Sequence, residues 1–69
     1  MTGGVILLRP LDDEARDHPR LSGNIMLPEY PRVGDQIEWE DGLRVKVVRF
    51  VWPANIRESN PQAWVKVLS

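Results

Sequence analysis

The chain has 69 residues, nine Lys and Arg against ten Asp and Glu (a formal net charge of −1), one histidine and no cysteine. This length allows one domain with a small core. The lack of cysteine excludes disulfides and thiolate metal sites, and a lone His18 argues against a histidine-built metal centre. The charge balance disfavours a general nucleic-acid binder and no apolar run reaches membrane-spanning length, so the composition reads as one soluble, cytoplasmic domain over residues 1–69.

The first residues lack the basic start and small-residue cleavage site of a signal peptide. Residues 4–9 form a short aliphatic run that Pro10 stops, and this predicts a first strand. Both its faces are apolar, Val5 and Leu7 on one and Ile6 and Leu8 on the other, so it needs cover on both sides or a place at an interface. Residues 10–23 are polar and charged and read as a long solvated loop. One helical turn capped by Asp12 is the alternative, and His18-Pro19 would end it. Residues 24–27 predict a second short strand, and the Pro-rich, Gly-Asp-containing stretch after it a connection.

Residues 36–40 alternate, with Ile37 and Trp39 on one face and Gln36, Glu38 and Glu40 on the other, as a half-buried strand does. A two-residue Asp41-Gly42 turn would mix apolar and cationic side chains along both faces of the following hairpin. A three-residue Glu40-Asp41-Gly42 loop instead pairs Trp39 with Leu43, Glu38 with Arg44, Ile37 with Val45 and Gln36 with Lys46. It also puts Gly42 at the left-handed position. The three-residue loop is therefore expected.

The next strand runs from Leu43 to Trp52 and changes phase. Leu43, Val45 and Val47 share one parity, and Val48, Phe50 and Trp52 the other. A bulge near Val47-Val48 would turn both sets to one core. A straight strand would leave the second set as an exposed binding surface. The bulge is the expected form. Pro53 ends this strand, a polar loop follows, and residues 63–68 predict the last strand.

Five short strands predict an all-β, small five-stranded antiparallel barrel with a long charged loop after the first strand. Residues 31–37 (PRVGDQI), Asp41-Gly42 and Val45 through Trp52 resemble the Src-homology-3-like barrels of small bacterial and phage-encoded proteins. The resemblance covers roughly residues 24–68 and implies that fold and a binding role. The stretch Arg9 to Asp13 lacks the aromatic residues that polyproline recognition uses in the peptide-binding members.

Little points to catalysis. One histidine serves all base roles, no phosphate loop is present, and the acids of 12–17 lack the pattern of a calcium loop. No enzyme activity, cofactor or metal is expected. The sharper signal is three tryptophans. Trp39 fits the core, and core packing is the ordinary place for Trp52 and Trp64 too. The functional alternative is an aromatic rim shared by Trp52 and Trp64 beside Arg49, Arg57 and Lys66. The cations Arg44, Lys46 and Arg49 read as a solvated face, with Glu38 neutralising Arg44. The expected function is a non-enzymatic module that captures a protein segment or its own copies as a homo-oligomer. A phage-type protein sequestering a small nucleotide signal and a nucleic-acid-binding barrel are the alternatives.

Overall fold

The computed structural model describes residues 4–55 and 57–68. Each expected apolar run becomes a strand: β1 (Gly4–Pro10), β2 (Gly23–Leu27), β3 (Gln36–Glu38), β4 (Arg44–Val51) and β5 (Gln62–Val67). They form one curled sheet, a half-barrel, in the order β2-β1-β5-β4-β3. No helix among the described residues is long and apolar enough to cross a membrane.

The all-β expectation holds, but the sheet is mixed rather than antiparallel. β1 pairs antiparallel with β2, and β5 with β4, while β1 and β5 run parallel. The cause is topological. The segment after β1 returns the chain as β2 along one edge, and the last strand fills the other edge in the direction of β1. A parallel pair needs a long connection, and most of the chain supplies it here. β1 is thereby flanked on both edges. Its Ile6 and Leu8 are fully buried, while Val5 and Leu7 are half-buried on the other face.

The charged segment after β1 is also not the solvated loop expected. It forms a helical turn, α1 (Asp13–Arg16), and a 3₁₀ turn, Pro19–Leu21. The Asp12 carboxylate accepts a hydrogen bond from Ala15 N–H at 2.9 Å, which caps the first turn. Ala15 and Leu21 are fully buried in one cluster with Ile6, Leu8, Val45, Val47, Ala63 and Val65. Two apolar residues in a charged run thus close the concave side of the sheet.

The β3–β4 hairpin adopts the three-residue loop. Gln36 pairs with Lys46, Ile37 with Val45 and Glu38 with Arg44. Trp39 N–H donates to Leu43 O at 2.8 Å, and Gly42 N–H donates to Trp39 O at 3.0 Å. Gly42 has φ +93°, a conformation that an L side chain resists. Arg20 ties the 3₁₀ turn to this loop. It forms an ion pair with Asp41, and its guanidinium lies 5.9 Å from the centroid of the Trp39 ring. Trp39 packs against the core, as its parity implies.

The phase change in β4 is a bulge at Val48. Val47 faces Val65 on β5, but Arg49 faces the next residue back, Trp64, and Phe50 faces Ala63. The extra residue reverses the parity, so Phe50 joins Val45 and Val47 against the core and Arg49 turns to the outer face. The bulge sits where the partner strand runs out: Val47 N–H donates to Asp35 O at 2.8 Å, and Gly34 N–H donates to Val47 O at 2.7 Å. Phe50 then heads an aromatic cluster with Trp52 at 5.3 Å and Tyr30, whose ring lies 4.8 Å from that of Trp52. Tyr30 rests on the start of β1, where a Cβ on Gly4 would lie 2.6 Å from its hydroxyl oxygen.

Gly42→Val is expected to lower stability by at least the roughly 1–2 kcal/mol that the left-handed conformation costs an L residue, measured by urea denaturation. The Arg20 guanidinium, and after it the Leu43 N–H, holds the Asp41 carboxyl below the usual carboxylate range. Its contribution to stability is therefore present at neutral pH and is lost as pH falls through its folded pKa. Asp41→Asn should lower stability at neutral pH and flatten the acid limb of the stability profile, read from urea midpoints across that limb.

Candidate anion-binding site

The three central strands place one line of side chains across the outer face. Arg9 on β1 is in register with Trp64 on β5, and Trp64 with Arg49 on β4. The guanidinium carbons of Arg9 and Arg49 lie 5.7 Å and 5.2 Å from the Trp64 ring centroid. Both are cation–π distances. One indole, half-buried between its neighbours, thus holds two guanidinium groups, one from each adjacent strand. A guanidinium held over a ring in this way keeps N–H groups free to donate.

This line borders an open cleft of about 750 Å³. Its lining joins Arg9, Arg49 and Trp64 to Arg16, Ser22, Leu7 and Leu11, so the α1 segment forms one wall. The volume lies within the range of small-molecule sites. Arg16 is engaged by Asp13, 2.6 Å from its Nη1. Among the described residues, Arg9 and Arg49 have no carboxylate partner. Two uncommitted guanidiniums, an indole and a hydroxyl suit a ligand that is both anionic and partly flat or apolar.

The cationic character continues along the sheet. One step from Trp64, Lys66 lies directly opposite Lys46. Beyond it Arg44 meets Glu38 at 3.5 Å, as the hairpin register requires. All five cations of the strands, Arg9, Arg44, Lys46, Arg49 and Lys66, project from this face, and Glu38 is the only acid in any strand. The near-neutral total therefore hides a segregation, with the acids gathered on turns and on the α1 segment. Like charges directly opposite each other across a strand pair are destabilising.

Of the five residues expected at the site, the structure brings together Arg49 and Trp64 and places Lys66 on the same face. Trp52 lies elsewhere. It is 53% exposed, outside the core, and packs in the Tyr30–Phe50 cluster, whose Phe50 faces the concave side. Trp64 is half-buried rather than core. Arg57 sits exposed in the loop after β4, its N–H donating to Asn55 Oδ1 at 3.1 Å. Sequence reasoning missed Arg9 and Arg16. Arg9 enters the site only through the parallel β1–β5 pairing, which the alternation of residues does not encode. No protein-family model, curated protein or solved structure matches the chain.

Removing one member of the Lys46–Lys66 pair should relieve repulsion. Lys66→Gln is expected to raise stability by roughly 0.2–1 kcal/mol at low salt, with the gain shrinking as salt screens the pair, measured by urea denaturation.

Proposed function

We propose that the chain is a non-enzymatic binding module whose ligand carries phosphate and is held at the outer face by Arg9, Trp64 and Arg49. The observation that carries this is the pair of guanidiniums at cation–π distance from one indole, with no carboxylate partner for either among the described residues. Phosphate oxygens accept from such groups in charge-assisted hydrogen bonds, and the shared ring orients the donors before the ligand arrives. An apolar rim for capturing a protein segment has less support, since Trp52 and Trp64 belong to different clusters. The resemblance of residues 24–68 to Src-homology-3-like barrels accords with a binding role. The residues that carry it are Pro31–Ile37, Asp41-Gly42 and Val45–Trp52.

A ligand that binds only the folded state raises the melting temperature by mass action. Melting temperature should rise with the concentration of pyrophosphate or a nucleoside triphosphate, and the rise should vanish in Arg49→Gln. A melting temperature indifferent to all phosphate compounds would contradict the reading.

A further inference from the structure

We propose that this face binds a single-stranded polynucleotide, with Lys46 and Lys66 clamping the phosphate next to the one held by Arg9 and Arg49. The inference rests on the phosphate reading of the Trp64 site and extends it to the length and class of the ligand.

Three observations carry it. The first is the Lys46–Lys66 pair itself, two ammonium groups in direct cross-strand register with no carboxylate partner among the described residues. A bridging anion converts that repulsion into attraction, because one phosphate accepts from both lysines.

The second is spacing. Successive side chains on one face of a strand lie about 6.6 Å apart, so the Arg9–Arg49 row and the Lys46–Lys66 row are one such step from each other. Phosphates along an extended polynucleotide repeat on that scale. A lone nucleotide in the cleft would leave the lysine row unused.

The third is the Trp64 indole with a guanidinium on either neighbouring strand. Bases stack on aromatic rings and on guanidinium planes, largely without regard to sequence. An acidic protein segment would satisfy the lysines yet make no use of the indole. The direction of the track follows from which cations are free. Arg16 on the cleft wall is already engaged by Asp13, so the polynucleotide leaves the cleft toward Lys66 and Lys46, and among the described strand residues the one acid on that side is Glu38, which pairs with Arg44.

The test is fluorescence anisotropy at several salt concentrations, with labelled oligouridylates and oligothymidylates of roughly 4, 8 and 16 nucleotides, the range of site sizes for small single-strand binders. Uridine monophosphate and poly-glutamate serve as competitors. Affinity should rise from the mononucleotide to the middle length and fall with salt, and poly-glutamate should compete poorly. Lys66→Gln and Lys46→Gln should each weaken oligonucleotide binding and reduce the salt slope by about one contact's worth, roughly 0.7 for a single strand. Both variants should remain folded, and Lys66→Gln should melt higher than the parent, which separates lost binding from lost structure. Three results would overturn the inference: the mononucleotide binding as tightly as the oligomers, lysine variants binding unchanged, or poly-glutamate competing as well as the oligonucleotides. The first two leave the Arg9–Trp64–Arg49 phosphate site standing. Failure to bind any phosphate compound overturns that site as well.

Discussion

The bulge at Val48 is the constraint on which both faces of the sheet depend. β4 must serve a core built from Val45 and Val47 and an aromatic cluster headed by Phe50, yet these residues differ in parity. One inserted residue reconciles them. Without it, Phe50 would stand in solvent on the outer face and Arg49 would point into an apolar core, where an unpaired guanidinium costs several kcal/mol. The same residue that lets the core close therefore turns Arg49 toward Trp64. Packing and the candidate site are two consequences of one backbone irregularity.

The second organising feature is the separation of charge. A 69-residue domain has little buried surface to spare, and its net stability is a small difference between large terms. Against that background, five cations on one sheet face and a direct Lys–Lys register are costly choices. The acids are used elsewhere for structure: Asp12 caps α1, Asp13 holds Arg16, and Asp41 receives Arg20 at the hairpin loop. Among the described residues two of the three ion pairs lie on α1 and the turns, and Glu38–Arg44 is the one between strands, which leaves the central strands positive. A surface built only for stability would pair more of those charges across strands, as Glu38 and Arg44 are paired.

Much of this was legible in the sequence where side-chain parity governs. Ile37, Trp39, Val45 and Gly42 admit one hairpin register without mixing faces, and the structure adopts it. The phase change between Val47 and Val48 likewise has few physical solutions. What parity cannot encode is which distant strand lies alongside. Nothing in the run Val5 to Leu8 says that its free edge takes β5 in parallel, so Arg9 stayed invisible as a neighbour of Trp64. Local charge also misled. The segment around Asp12 to Arg20 is so polar that Ala15 and Leu21 do not stand out, yet those two residues seal the core. Net charge is silent on this arrangement, because it averages a positive sheet with acidic turns.

The most direct test of the account is a nuclear magnetic resonance titration that follows the three indole N–H signals, of Trp39, Trp52 and Trp64, while a short oligonucleotide or pyrophosphate is added. The three sit in different places: on the hairpin under Arg20, in the Tyr30–Phe50 cluster, and between Arg9 and Arg49. The account predicts that the Trp64 signal moves on binding and that those of Trp39 and Trp52 stay. Movement confined to Trp52, or none in any indole, would contradict it.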